Sequence, residues 1–373
     1  MKRWIPLTSL ALLLLLPACS RRNRDVGMDP GAYAWTTLQG DVRRAGTEGD
    51  PVPADPAVAW TVEVGRGLRS QPLVHRGVVL IAGSNRLLAA YSAVSGERFW
   101  EQRLNGSISG GILWRNDTLW VATESLDGEV SARRLGKGGD FWQREIGPAS
   151  LAPLLDGPRL FVATDDGSLT ALRAETGDRL WRTRLPGGVG STPVPWGGHI
   201  VVVGARDTAY LVGADDGEIG TRVALDAAAS GLPALRDDLM VLPLRGGELA
   251  GVDLELGEVL WRSPVGTDVL AAPVIAEDGA IYVLNAHGEV WRVPPHERHA
   301  TRIAALGGAA RESLTLVRDG LLVGRLDGTL YLLDRSGDVL WERSLGGSIH
   351  APVAVADGAI FVPLLDGRLS KLE

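Results

Sequence analysis

Tryptophan returns along this chain at a spacing of about forty residues: Trp60, Trp100, Trp142 and Trp181, then Trp261 and Trp341 after gaps of 80. The midpoints of the two long gaps are Thr221 and Thr301, in segments that keep the rest of the pattern. Eight equivalent units are therefore written here, and two lack the marker. A fixed period of this size confines the chain to repeat architectures, in which one supersecondary unit recurs and buries its faces only against its neighbours.

Residues 151–181 spell out the unit. Ala152, Pro153 and Leu154 open an apolar run that turns at Asp156-Gly157. Leu160 to Ala163 follow, turning at Asp166-Gly167 into Leu169 to Leu172, and a third turn at Thr176-Gly177 leads to Leu180 and Trp181. Short apolar runs punctuated by Asp-Gly and related pairs are the signature of hairpins, because glycine accepts the positive φ of a tight turn. The unit is thus four short antiparallel strands. Pro72, Gly77, Gly96 and Trp100 repeat the grammar in the first unit, and Pro233, Gly247, Gly257 and Trp261 in the fifth. The second unit is looser, with Asp117, Gly128, Gly139 and Trp142.

The eighth unit has Pro352, Gly358 and Gly367 but reaches Glu373 without a fourth strand. Residues 59–63 (AWTVE) look like a fourth strand with no preceding three. Residues 58–373 number 316, or 39.5 per unit over eight. Seven units would need about forty-five each, against the observed period. The expected fold is all-β: an eight-bladed β-propeller of four-stranded antiparallel blades, closed by an N-terminal outer strand that completes the last blade. The recurring tryptophan, early in each outer strand, is expected to dock one blade on the next and to bury roughly 200 Å². Thr221 and Thr301 mark the fourth and sixth blades as those least bound by that rule.

The first residues carry a second pattern. Lys2 and Arg3 precede an apolar stretch from Leu10 to Leu16, and Leu16-Pro17-Ala18-Cys19 ends it. The stretch is too short for a mature membrane span and has the layout of a secretory signal. Residues 1–18 are read as a lipoprotein signal peptide, 19–57 as a lipidated N-terminus and tether, and 58–373 as the propeller. The ending resembles a bacterial lipobox, which would make Cys19, the chain's one cysteine, a lipid attachment site, although Pro17 departs from the small residue usual there. By the sorting rule of such lipoproteins, Ser20 implies the outer membrane, periplasmic side. In the tether, Arg21, Arg22 and Arg24 are charged, residues 50–56 are proline-rich, and the block from Trp35 to Gly46 reads as short and ordered.

The formal charge is −7, and removing residues 1–18, with Lys2 and Arg3, takes it to −9. So acidic a chain is a poor nucleic-acid partner, since phosphates demand clustered Lys and Arg. His296, Glu297 and His299 are one residue short of the zinc helix motif, and Pro294-Pro295 forbid a helix immediately before them, so they read as an outer turn of the sixth blade. Asp165-Asp166 and Asp215-Asp216 each precede glycine and read as turn residues rather than calcium loops. The strand openings expected to line the ring carry Ser70, Ala152, Ser191, Gly231, Ala271 and Ala351, which give space and little chemistry. No catalytic residue, metal or cofactor is expected.

The repeat of Pro, Asp-Gly, Asp-Gly, Thr-Gly and Leu-Trp resembles the pyrroloquinoline-quinone-type propeller repeat family over most of the mature chain. With a lipobox and eight blades, the chain is most similar within that family to outer-membrane lipoproteins that assist the β-barrel assembly machine. The resemblance implies a non-catalytic, monomeric scaffold whose partner is the β-barrel assembly subunit, contacted through two neighbouring inter-blade connections. The corresponding stretches, 185–191 and 225–231, read LPGGVGS and LDAAASG. They lack the Leu-Arg-Gly and paired-aspartate patterns associated with that contact, so Arg66, Arg69, Leu185 and Val189 are taken instead, from loop position, as exposed partner-binding residues. A blade edge pairing with an unfolded strand is a further route. The same repeat also builds quinone-dependent dehydrogenases, which leaves a periplasmic enzyme, or an envelope-binding lipoprotein with another partner, as the alternatives.

Overall fold

The computed structural model describes residues 51–136 and 139–373. Cys19, Ser20, the basic cluster after them and the block from Trp35 to Gly46 lie outside the described residues. Those that are described form eight four-stranded antiparallel sheets, seven of them in chain order from the inner strand outward. Blades one to seven span residues 73–103, 112–145, 154–184, 194–224, 234–264, 274–305 and 310–344. Blade eight takes its three inner strands from Ala354–Ala356, Ala359–Pro363 and Arg368–Leu372, and its outer strand is Val58–Glu63, paired with Arg368–Leu372. The expected closure is therefore the observed one. It is sealed by an apolar cluster that runs from Trp341 of blade seven through Phe361 of blade eight to Ile81 of blade one.

Position in the blade explains the residue pattern. The second strand of blade three, Arg159–Ala163, has Leu160, Phe161, Val162 and Ala163 all fully buried, because both its faces meet neighbouring blades. Such a strand reads as an unbroken apolar run. The outer strand, Arg179–Arg184, alternates between exposed and half-buried positions, because only one of its faces meets another blade.

In all six outer strands that carry the tryptophan, pairing skips the residue before it: Ala59, Phe99, Phe141, Leu180, Leu260 and Leu340. This β-bulge twists the strand locally and re-aims the side chain that follows. Three of these indoles, those of Trp60, Trp142 and Trp181, dock on the third turn of the next blade. Trp60 Nε1 donates to Ala93 O at 3.3 Å, Trp142 Nε1 to Ala174 O at 3.0 Å, and Trp181 Nε1 to Ala214 O at 3.2 Å. The ring covers the turn's glycine: a Cβ on Gly217 would sit 2.6 Å from the Trp181 ring.

The two vacancies are met differently. Thr221 occupies the tryptophan's place and puts Cγ2 3.0 Å from where a Gly257 Cβ would stand. In blade six the bulge falls later, at Ile303. Ile303 then lies over Gly337 and packs on the apolar cluster shared with blade seven, while Thr301 is exposed. Blade six is thus docked by a residue that the period does not mark.

The last residues of the expected tether are held in place. Trp341 has no outer-hairpin turn of blade eight to meet, since the chain is discontinuous there, and its Nε1 donates to Pro53 O at 3.1 Å instead. Arg343 Nε donates to Pro56 O at 2.9 Å and its guanidinium pairs with Asp55. Ala57 and Glu373 exchange backbone hydrogen bonds of 2.9 and 3.0 Å. Residues 52–57, read from the sequence as the end of the tether, act instead as a clasp.

Candidate functional site

All eight inner-strand openings converge on the axis at the end where the inter-blade connections enter, and they enclose a cavity of about 540 Å³. Ser70, Ala152 and Gly231 line it as expected. Ser191, Ala271 and Ala351 do not: all three are fully buried in the wall, and their neighbours Gly190, Leu270 and His350 face the cavity. Because side chains alternate in extended backbone, a shift of one residue exchanges wall for lumen.

That shift brings charge to the axis. Arg69 of blade one, Arg311 and Glu312 of blade seven and His350 of blade eight line the cavity from three consecutive blades. The other blades contribute only small, apolar or uncharged residues: glycine, serine, threonine, alanine, proline, leucine and isoleucine. Arg311 Nε stands 3.5 Å from Glu312 Oε1, with both side chains about half exposed. Depth within the cavity raises the Glu312 carboxyl above its ordinary range, while Arg311 and Arg69 oppose the shift. Burial lowers His350, as do Arg311 and Arg69, which favours the uncharged imidazole. Arg69 thus lies on the axis, as part of a charged group that the sequence does not announce. The available signal was Arg311-Glu312 at the opening of unit seven, two adjacent charges at a place where most units are small or apolar.

The connections at 185–191 and 225–231 border the cavity on the far side, through Gly190, Ala229, Ser230 and Gly231. Both are pinned. Gly187 N donates to Tyr210 Oη at 3.0 Å, and Gly190 N to Val203 O at 2.8 Å. Arg245 N donates to Ala228 O at 2.8 Å, Ser230 Oγ to Val269 O at 2.9 Å, and Arg262 pairs with Asp226 at 3.0 Å. Leu185, expected to be exposed, is 2% exposed and packs with Phe161 and Tyr210. Val189 is half-buried against the same cluster. The apolar side chains anchor this connection from beneath, which corrects the expectation of exposure, while Arg66 and Arg69 are exposed.

A calcium ion takes six to eight oxygen ligands. The cavity offers one carboxylate, facing two guanidinium groups, and that donor set does not suit the calcium–quinone pair used by dehydrogenases of this fold. Among the described residues, no three His, Cys, Asp or Glu side chains come together as a metal cage. His296, Glu297 and His299 are exposed in the outer turn of blade six.

The profile of the family described as Outer membrane protein assembly factor BamB matches residues 52–132, 126–293 and 277–373. The protein of that description from Shewanella oneidensis is 23% identical over 96% of this chain and 95% of its own length. Its counterpart from Moranella endobia is 23% identical, with 80% of each chain covered. Among solved structures, BamB from Moraxella catarrhalis superposes with a TM-score of 0.70 at 16% identity, covering 86% of this chain and 100% of that one. Quinohemoprotein alcohol dehydrogenase from Comamonas testosteroni reaches 0.76 at 13% identity, covering 91% and 80%. At these identities the two structures attest the fold alone.

Proposed function

The chain belongs to the outer membrane protein assembly factor BamB family, and on that footing we propose that it is a non-catalytic scaffold of the periplasm-facing outer membrane. It assists the assembly and insertion of β-barrel proteins through protein–protein contacts. The observation that carries the proposal is the family match from residue 52 to residue 373, which takes in all eight blades. A lipid on Cys19 anchors the protein, after removal of residues 1–18. The partner is a BamA-like barrel-assembly subunit, and it meets the end of the propeller where the connections at 185–191 and 225–231 border the axial cavity.

Physical features support this use of the fold. Both connections are tied down by hydrogen bonds to neighbouring strands, so binding orders little additional backbone, and the entropy lost on association stays small. Function sited on loops over a rigid frame is the usual division of labour in such scaffolds. The axial donor set argues against a calcium-held quinone, and no observation favours catalysis.

Two measurements test the proposal. Affinity purification of the tagged full-length protein from envelopes, in mild detergent, is expected to recover the barrel-assembly subunit. Its absence beside a working control would leave the protein an envelope lipoprotein with another partner. Cys19→Ala is expected to release the protein from the membrane fraction, and continued membrane association would refute lipidation at that residue.

A further inference from the structure

The six tryptophan-bearing outer strands share one geometry, so their charges can be compared position by position. In blade three, Arg179, Arg182 and Arg184 stand two residues before, one after and three after Trp181. All three are exposed, and together with Asp166 and Ser168 they line one shallow depression. The same positions hold Arg98, Glu101 and Arg103 in blade one, where Arg98 pairs with Glu101, and Asp140, Gln143 and Glu145 in blade two. Among the tryptophan-bearing outer strands, only blade three carries one sign at all three positions, and it is positive in a chain whose net charge is −7.

The neutralisation is incomplete. Asp166 takes Arg182 Nη2 on one oxygen at 2.7 Å. Its other oxygen is committed to Thr164 Oγ1 at 2.6 Å and Ser168 N at 3.0 Å. Among the described residues no carboxylate pairs with Arg179 or Arg184. Arg179–Arg184 also has a single sheet neighbour, Ser168–Arg173, so the backbone groups along its other edge have no strand partner.

We propose that the outer strand of blade three is a docking edge for an extended acidic segment of a partner protein, which adds to the blade as a fifth strand. Main-chain hydrogen bonds set its register, and carboxylates at alternate positions, about 7 Å apart in extended backbone, meet the arginine ladder. The same ladder repels a second copy of itself, which selects an acidic strand over self-association. Three arginines in line along a free sheet edge suit a strand better than a lipid surface, which would need no register. This inference concerns a different surface from the axial cavity and does not depend on the assembly role.

The test uses the full-length protein and two fluorescent peptides of one length, alternating Glu with Val and Thr, or Lys with Val and Thr. The acidic peptide is expected to bind, more weakly as salt rises, and to slow amide exchange within 179–184. The Arg179→Glu/Arg184→Glu variant is expected to weaken binding by about tenfold or more. Arg103→Glu, on the outer strand of blade one, is expected to leave it unchanged. Arg179→Gln/Arg184→Gln, with circular dichroism as the check on folding, covers the case in which charge reversal disturbs the blade. Equal binding of both peptides, indifference to the double variants, or unaltered exchange at 179–184 would overturn the proposal. So would binding to phosphatidylglycerol vesicles through these arginines with no binding of the acidic peptide.

Discussion

Blade three docks on blade four through Trp181, and blade four docks on blade five through Thr221. The two interfaces have the same turn, the same positive-φ glycine, Gly217 or Gly257, and the same strand position opposite it. They differ in the side chain set against that glycine. At the first, an indole covers the glycine and its N–H closes on Ala214 O. At the second, a threonine methyl touches the glycine, and the contact rests on an apolar cluster that includes Val223, Leu235 and Met240. The tryptophan is therefore a reinforcement laid over a packing scheme that can stand without it. Ile303, over Gly337, is a second solution to the same problem.

The largest effect is expected where a buried indole also closes a hydrogen bond onto the next blade. Trp142 is 7% exposed and bonded to Ala174 O, so Trp142→Ala is expected to cost about 3–5 kcal/mol, read as a lower urea midpoint. Starting the chain at Ala57, which keeps its bonds to Glu373, comes next. It removes the acceptors at Pro53 and Pro56 for Trp341 and Arg343, two hydrogen bonds worth about 1 kcal/mol each together with the packing of Val52. If the midpoint did not move, residues 52–57 would not be a clasp.

The glycines sharpen the comparison. Gly257→Ala should cost only the left-handed backbone penalty, about 1–2 kcal/mol, because the threonine methyl has room to give. Gly217→Ala should cost a further ~1–3 kcal/mol for driving a methyl into the Trp181 ring. Equal losses would mean that the indole does not rest on Gly217. Thr221→Ala is expected to lie within about 0.5 kcal/mol of the parent, since this side chain is exposed and carries no bond to the next blade.

The smallest effect depends on pH. Asp334, in the blade-seven turn that receives Ile303, is held below the ordinary carboxylate range by Ser336 and by the backbone N–H groups of Ser336, Gly337 and Asp338. A carboxyl lowered by folding stabilises the fold above its unfolded value, about 3.9, and loses that contribution as pH falls through the lowered one. The difference in urea midpoint between the parent and Asp334→Ala is expected to be present at neutral pH and to vanish on acidification below the ordinary carboxylate range. A difference that persisted in acid would assign the effect to something other than the ionised carboxylate.

The blade count, the four strands per blade and the closure by Val58–Glu63 were legible because they follow from period and turn chemistry, which are local. The β-bulge before each tryptophan was not. It leaves no mark in composition, although Phe141, Leu180 and Leu340 are large apolar residues left 49%, 41% and 53% exposed, as a skipped residue must be. The axial site was misread by one position, from Ala351 to His350, because the small residue that signals close packing belongs to the wall and its neighbour to the lumen. Leu185 was misjudged for a related reason: it lies in a connecting segment, yet its side chain turns inward on Phe161.

By itself the sequence determined how many blades there are and how the ring closes, because a period and its missing beat are properties of the chain alone. Only the tertiary structure decided which side chains meet across blades. Arg69, Arg311 and His350 come from opposite ends of the chain and share a cavity only because the ring closes, and Ile303 replaces a tryptophan only because a bulge turned it toward Gly337. Such contacts depend on the facing of individual residues in extended backbone, where a displacement of one position reverses the side and no one-dimensional spacing records the choice.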